Sequence, residues 1–137
     1  MRQKKKVARC HEKIRSQRRD YLHKLSRRIA DQYDIVAVED IDMKAMSQCL
    51  HLGKSVQDNG YGMFRNMLEY KLEWKGKEII KVDRFFPSSK KCSKCGKIKI
   101  ELKLSERVYH CTCGNEMDRD RNAAINIREE ARRMLAA

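Results

Sequence analysis

Four cysteines have the spacing of metal ligands. Cys92 and Cys95 are separated by two residues, and after fifteen further residues Cys111 and Cys113 are separated by one. Tetrahedral zinc is bound by four such soft thiolates when the chain turns back on the ion. Gly96 directly follows the second cysteine and permits the tight turn of a zinc knuckle. Because four thiolates leave no open position, we expect one structural Zn²⁺ that stabilises a module too small to fold alone.

Two alternatives to this four-cysteine site remain open. The one-residue gap of the second pair is tighter than usual, and His110 with Cys113 would restore a two-residue gap in a site of three cysteines and one histidine. The other alternative is four reduced thiols without zinc. Clustered pairs indicate metal ligands rather than disulfides in an intracellular protein. Cys10 and Cys49 stand alone, so we predict ordinary half-buried residues there.

Two carboxylates are placed where a catalytic metal could bind. Glu39 ends a short apolar run, and Asp120 precedes a helical pattern. Carboxylates at strand ends of an α/β sheet face the crevice where ligands bind. Together in a basic protein they suggest a divalent metal site for phosphoryl transfer, which needs three or four carboxylates, of which we find two. The simpler interpretations are that Asp120 is a helix N-cap and Glu39 a solvated strand end.

The pattern of apolar residues predicts an α/β architecture. Three- and four-residue steps from Val7 to Tyr33, and again from Ala124 to Leu135, are typical of amphipathic helices. Strand, helix and strand at the spacing seen in the middle predict a parallel βαβ unit. The predicted elements are a long helix at 2–33, a strand at 35–40 covered on both faces, an irregular stretch at 41–60, a helix at 62–75 stopped by Gly76, a strand at 78–83, a hairpin within 101–110 and a final helix from Asp120.

Charge is the strongest feature of the composition. Lysine and arginine exceed aspartate and glutamate by 32 − 19 = +13, which favours a polyanion partner, most commonly nucleic acid. Residues 2–33 hold twelve of these cations and three acids, which fits either a solvated helix face or a surface that follows phosphates. Neither a signal peptide nor an apolar run of about 18 residues is present, so we expect a cytoplasmic protein without a membrane partner.

Three motifs resemble the C-terminal half of the TnpB (OrfB) family. They are VAVEDI at 36–41, FPSSKKCSKCG at 86–96 and YHCTCGNEMDRDRNAAINI at 109–127, and the resemblance extends over nearly the whole chain. Members of this family are transposon-encoded, are often described as transposases, and are understood as RNA-guided DNA endonucleases. The resemblance implies a partial RNase H-like (RuvC) fold at 1–87, an inserted zinc ribbon at 88–117 and a final RuvC helix at 118–137.

The resemblance also implies roles for individual residues. The family's catalytic glutamate corresponds to Glu39 and its last catalytic aspartate to Asp120, and both would hold a catalytic Mg²⁺ or Mn²⁺. Its structural zinc ligands correspond to the cysteines at 92, 95, 111 and 113. The implied partners are DNA, a guide RNA and the N-terminal half of the same protein.

One departure from the family pattern limits the expected activity. The family's first catalytic aspartate lies on a strand before the long helix, and no aspartate of this sequence is placed to replace it. We therefore expect this chain alone to be inactive, and its two-stranded sheet to be poorly folded. The alternative function is a non-catalytic nucleic-acid-binding module or regulator built on the basic helix and the zinc ribbon.

Overall fold

The computed structural model describes residues 2–42, 60–103 and 105–137. These residues form three helices and four short strands, an α/β arrangement. In chain order the elements are α1 (Arg2–Gln32), β1 (Ile35–Glu39), α2 (Tyr61–Trp74), β2 (Glu78–Val82), β3 (Val108–His110), β4 (Glu116–Asp118) and α3 (Arg119–Ala136). The helices and first two strands predicted from the sequence are therefore present, each within a residue or so of its predicted bounds. Cys49 and most of the irregular stretch at 41–60 lie outside the described residues.

The chain divides into two compact units, the first of which comprises residues 1–36 and 41–79. Its core forms where α1 and α2 pack together, with Ala30, Leu68 and Leu72 fully buried. The described residues cover only the C-terminal part of α1. The predicted stripe is consequently wrong towards the N-terminus of this helix, where Val7 and Ile14 are exposed. The reason is length, because α2 spans about 21 Å and α1 about 46 Å at 1.5 Å per residue.

The start of α2 approaches α1 closely. Gly60, the residue before this helix, has a φ of 68°, and a Cβ placed on it would lie 2.8 Å from Cδ1 of Leu22 on α1. Only glycine fits such a backbone conformation against such a neighbour without displacement. The turn signal at this position therefore also fixes the distance at which the two helices pack.

The end of α2 confirms the predicted stop at Gly76. This residue has a φ of 65° and its N–H donates to the carbonyl of Glu73, while the Lys77 N–H donates to that of Leu72. These two hydrogen bonds form a Schellman motif, which satisfies carbonyls that the ended helix would leave unpaired. The chain then enters β2 directly.

β1 and β2 form a two-stranded sheet. At one end the Glu78 N–H donates to the carbonyl of Asp34, and at the other the Asp40 N–H donates to that of Val82, so the strands run parallel. The prediction that β1 is covered on both faces is wrong, because Ile35 is 47% exposed and the remaining positions are half-buried. A parallel strand is fully buried only when further strands and helices flank it.

The second unit comprises residues 37–40 and 80–137. Ile80, Val82 and Ala131 form its small core, with Ile127 packed against them. β3 and β4 pair antiparallel, with Tyr109 opposite Met117. The hairpin predicted within 101–110 is thus displaced towards the C-terminus, because the second cysteine pair lies in the turn between its strands. Met134 and Leu135, at the end of the predicted stripe of α3, are exposed.

Candidate functional site

The four clustered cysteines bring their sulfur atoms together. All four Sγ atoms lie within 4.8 Å of one another, with 3.7 Å between Cys92 and Cys113 and 3.6 Å between Cys95 and Cys111. A tetrahedral zinc with Zn–S bonds of about 2.3 Å requires sulfurs about 3.8 Å apart. The donor set and its spacing therefore fit zinc. Within the described ranges, it is the one group of three or more cysteine, histidine or acidic side chains close enough to hold a metal ion.

The structure leaves His110 outside this group. Its Nδ1 atom lies 3.2 Å from a carboxylate oxygen of Glu116, the residue opposite it in the β3–β4 hairpin. The geometry therefore assembles the four-thiol set rather than the set with one histidine. Cys10 is exposed on the uncovered part of α1, so its predicted partial burial is wrong.

Cys92 is the buried member of the group, and its surroundings favour the thiolate. Burial by itself would raise the pKa of this thiol. The backbone N–H groups of Cys95 and Lys94 and the side-chain amide of Asn115 hydrogen-bond to the sulfur, and together they lower its pKa to about 6. Metal binding requires deprotonated sulfur, so these donors prepare one ligand before an ion arrives.

Two buried asparagines of α3 hold the backbone on both sides of Cys92. The amide of Asn122 accepts a 3.0 Å hydrogen bond from the Ser93 N–H and donates one of 2.7 Å to the carbonyl of Lys91. Asn126, one turn later, donates to the same carbonyl at 2.7 Å and to that of Ser88 at 2.8 Å. The start of α3 is thereby fixed to the segment that carries the first pair of thiols.

The sequence contains a signal for this link. Asparagine competes with the helical backbone for hydrogen bonds and is unfavourable inside helices. Two asparagines one turn apart, in NAAIN at 122–126, therefore indicate buried polar partners. The partners themselves cannot be identified from the sequence, because they lie about thirty residues away.

Asp118, not Asp120, is the N-cap of α3. The Asp118 carboxylate accepts hydrogen bonds of 2.9 Å from the backbone N–H groups of Asp120 and Arg121. The cap prediction was displaced by two residues because β4 runs directly into the helix, and its last residue has the extended backbone that a cap requires. Asp120 lies in the first turn, and its side chain is 79% exposed.

Glu39 and Asp120, 81 positions apart in the sequence, line one pocket of about 380 Å³. Partial burial raises the pKa of Glu39 above its usual range. Two cationic residues, Lys90 and Arg119, share the pocket, and Arg119 Nε lies 3.6 Å from a carboxylate oxygen of Asp120. Carboxylates can hold a hard divalent cation, and the neighbouring cations can hold phosphate oxygens.

Helices able to cross a membrane do not occur among the residues that the structure describes.

Known protein families match most of the chain. Residues 1–50 match the family described as "Probable transposase" (OrfB_IS605). Residues 61–127 match the family described as "Cas12f1-like, TNB domain". The first match ends at residue 50, and the second begins at residue 61, where α2 begins. Together they include both candidate carboxylates and all four clustered cysteines.

Individual relatives match over nearly the same length. A protein of Streptomyces pristinaespiralis named "Putative RNA-guided DNA endonuclease" is 42% identical over 90% of this chain and 31% of its own length. The protein named "Putative RNA-guided DNA endonuclease InsQ" of Escherichia coli is 30% identical over 98% of this chain and 37% of its own.

One solved structure is similar to this chain over most of its length. The "Cryo-EM structure of the Cas12f1-sgRNA-target DNA complex" matches with a TM-score of 0.68 and 26% identity, over 90% of this chain and 37% of that one. The chain therefore spans about a third of the length of the relatives and of the structure that it matches.

Proposed function

Because this chain belongs to the TnpB (OrfB) family, we propose that it is the C-terminal portion of an RNA-guided DNA endonuclease and contributes Glu39 and Asp120 to a RuvC-type active site. One observation carries this proposal: the two carboxylates line a single pocket although they come from β1 and α3. Together with the matching solved structure, the same observation supports an incomplete RNase H-like fold at 1–87 and 118–137.

The chemistry proposed for this pocket is hydrolysis of a phosphodiester bond. A divalent metal ion, Mg²⁺ or Mn²⁺, would supply an activated water and stabilise the leaving oxygen. Glu39 and Asp120 would hold that ion through their carboxylate oxygens. Lys90 and Arg119 would bind and orient the phosphate group, because guanidinium and ammonium donors form strong hydrogen bonds to phosphate. A further carboxylate, which the described residues lining this pocket do not include, would complete the ligand set.

The cysteine module at 88–117 is proposed to be a zinc ribbon with a structural role. Cys92, Cys95, Cys111 and Cys113 would bind one Zn²⁺, and this ion would hold the segment that also lines the acidic pocket. Ser88 and Lys90 belong to this segment and to the pocket wall, while Asn122 and Asn126 hold it to α3. The ribbon would thus position Asp120 without taking part in hydrolysis.

The proposed partners are DNA and a guide RNA. The solved structure that the chain matches is titled as a complex with a single guide RNA and target DNA, and the similar bacterial proteins are named RNA-guided DNA endonucleases. The net charge of +13 supports a polyanionic partner independently of these names. The remaining part of the same endonuclease would be the third partner.

A non-catalytic nucleic-acid-binding module is the second candidate function. The exposed N-terminal part of α1 favours it, because this helix has no acidic residue in its first turn and carries a large excess of cations. Such a surface would bind the phosphate backbone of a nucleic acid of any sequence, with an affinity that depends strongly on salt concentration. It needs neither Glu39 nor a divalent ion.

The effect of Mg²⁺ on DNA binding distinguishes the two functions. If the two carboxylates hold a cation beside the phosphate, Mg²⁺ will strengthen the binding of labelled DNA to the chain, and Glu39→Ala will remove this effect. Glu129→Ala is the matched control, because Glu129 is an exposed acid on α3 that pairs with Arg128 and Arg132. If DNA binding responds to salt but not specifically to Mg²⁺, and does so equally in the wild type, Glu39→Ala and Glu129→Ala, the non-catalytic module is favoured instead.

A further inference from the structure

The first unit carries an exposed tryptophan with no role in the proposed active site. Trp74, the only tryptophan of the chain, is the last residue of α2 and is 80% exposed. Its ring centroid lies 4.7 Å from that of Tyr70, one turn earlier, with the two rings tilted by 60°. This contact orients the indole on one side, and the exposure leaves the rest of the ring available. A large aromatic side chain in this position is a strong candidate for a contact residue.

Cationic side chains surround this tryptophan. A pocket of about 370 Å³ is lined by Trp74, by Arg27 of α1, and by Lys71 and Lys75 at the end of α2. Three of its four lining residues are therefore positively charged. Helix α1 provides one of these charges and α2 the others, so the packing of the two helices builds the site.

Lys71 is held in place by α1. Its Nζ atom donates hydrogen bonds of 2.7 Å to the carbonyl of His23 and to the hydroxyl of Ser26. Burial lowers the pKa of this lysine, and the nearby charge of Arg27 lowers it further. Two cations are thus held close together, and an anion in the pocket would relieve their repulsion.

One carboxylate partly compensates these charges. Asp31 lies 2.9 Å from Nζ of Lys75 and 3.9 Å from Nε of Arg27. Three cations and one carboxylate leave a charge of 3 − 1 = +2 for the set of Arg27, Lys71, Lys75 and Asp31. The indole therefore lies beside a surplus of positive charge.

We propose that Trp74, Arg27 and Lys75 form a binding site for single-stranded nucleic acid, in which a nucleobase stacks on the indole and the two cations bind its flanking phosphates. Aromatic stacking with neighbouring phosphate contacts is how proteins hold single strands without reading their sequence. A duplex cannot use this site in the same way, since its bases are already paired and stacked. A protein partner fits less well, because two of the three cations of the pocket are lysines, which are depleted in protein interfaces, whereas Trp74 and Arg27 would suit either kind of partner.

This site is separate from the active site proposed above. All its residues belong to the first unit, whereas both candidate catalytic carboxylates belong to the second. It requires no metal ion. Loss of Mg²⁺-dependent DNA binding and loss of single-strand binding at Trp74 are consequently distinguishable results.

The fluorescence of the single tryptophan reports directly on this site. We expect twelve-residue oligo(dT) or oligo(rU) to quench the emission of Trp74 as it binds, and a DNA duplex of equal length to quench much less. The oligonucleotide that quenches more strongly identifies DNA or RNA as the source of the strand. Trp74→Ala should weaken binding about tenfold, measured by fluorescence anisotropy of a labelled strand, because one stacked base contributes about that much.

Two further variants control this experiment. Phe85→Ala removes an aromatic residue of similar exposure, 85%, that lies outside the pocket, and it should leave the affinity unchanged. Lys75→Gln should weaken binding and reduce its salt dependence, because one phosphate contact is lost. The proposal would be overturned if single strands left the Trp74 emission unchanged, or if Trp74→Ala and Phe85→Ala bound them equally well.

Discussion

Asn122 and Asn126 connect the cysteine module to the helix that carries Asp120. Both amide nitrogens donate to the carbonyl of Lys91, and the amide oxygen of Asn122 accepts from the N–H of Ser93, so the two residues flanking Cys92 are held. Asn122 has no exposed surface, so none of its hydrogen bonds can be replaced by solvent. A buried polar link of this kind is stabilising only while every partner is satisfied.

Removing the Asn122 amide should destabilise the second unit. Asn122→Ala leaves the N–H of the half-buried Ser93 without its acceptor. A buried group left unsatisfied costs about 1–3 kcal/mol, and we expect a loss at the lower end of this range because Ser93 is only half-buried. Chemical denaturation of the zinc-loaded protein should show that the free energy of unfolding falls by this amount. Asn66→Ala is the control, because Asn66 is an exposed asparagine within α2. Equal stability of the two variants would mean that the amide link contributes nothing.

The pKa of Glu39 predicts an unusual dependence of stability on pH. Burial raises this pKa in the folded chain, so the folded state binds the proton more tightly than the unfolded state. The stabilising contribution of protonated Glu39 is complete below the unfolded pKa of about 4.3 and is lost as pH rises through the folded pKa. Between pH 4 and 7, without divalent ions, Glu39→Gln should therefore gain stability relative to the wild type.

Urea denaturation at several pH values measures this difference. Glu129→Gln should behave in the opposite way, because the Arg128 side chain lowers the pKa of Glu129 and makes its carboxylate stabilising at neutral pH. A constant difference between wild type and Glu39→Gln across the pH range would show that Glu39 ionises as it does in the unfolded chain.

At the level of elements, the cysteine module depends on ligands from two separate segments. Cys92 and Cys95 follow β2, and the second pair lies in the turn of the β3–β4 hairpin. The hairpin has three residues in each strand, which is too little to be stable alone. A metal ion bound by both segments would supply the missing stability.

The cysteine module should therefore bind one zinc ion and lose its order without it. Cys92→Ser should abolish stoichiometric Zn²⁺ binding and the thiolate absorption of a Co²⁺ substitute. Cys10→Ser should retain both, because Cys10 is exposed on α1 and is not one of the four clustered cysteines. Hydrogen exchange should show the amides of the β3–β4 hairpin protected only in the zinc-loaded protein. Full metal content in Cys92→Ser would contradict the four-thiol assignment.

Sequence periodicity identified the elements better than it identified their burial. The bounds of α2 and β2 follow from local signals, an apolar run and a glycine stop, and local signals can be read from one sequence. The exposure of Val7, Ile14 and Ile35 depends on which partners cover them, and no local pattern contains that information. The N-cap is Asp118 and not Asp120, because β4 ends where α3 begins. The sequence has an aspartate at both positions, so it does not show which of the two caps the helix.

The candidate sites were predictable to different degrees for a physical reason. Zinc ligands are close in sequence and their spacing is constrained by the ion, so the four cysteines were identifiable. Glu39 and Asp120 were singled out by their positions at a strand end and a helix start. Only the family resemblance assigned them to one catalytic site, since a distance of 81 residues carries no geometric information by itself. The cations and serine that share their pocket, Lys90, Arg119 and Ser88, had no sequence signal of this kind.

At the scale of the molecule, the described residues form two small cores instead of one. Ala30, Leu68 and Leu72 form the first, and Ile80, Val82 and Ala131 form the second. Each buries a few side chains, which is little for independent stability. The two cores also depend on different interactions, helix packing in the first and the cysteine module in the second.

We expect the two units to unfold in separate transitions. Leu72→Ala, which removes a fully buried side chain, should destabilise the first unit by about 2–5 kcal/mol and lower the helix signal at milder denaturant. The denaturant concentration at which half of the zinc is released, followed with a chelating dye, should be the same in Leu72→Ala as in the wild type. Met63→Ala is the control on the same helix, since Met63 is exposed. A single transition in which helix signal and zinc release coincide would mean that the chain folds as one cooperative body.

The central claim is that Glu39 and Asp120 act together on one divalent ion, and electron paramagnetic resonance of Mn²⁺ tests it most directly. We predict that the chain binds Mn²⁺ weakly, that Glu39→Gln and Asp120→Asn each remove this binding, and that the double variant is no worse than either single one, because ligands of one ion are not additive. Glu129→Gln should bind as the wild type does. Binding that survives both single substitutions, or losses that add independently, would contradict a shared site.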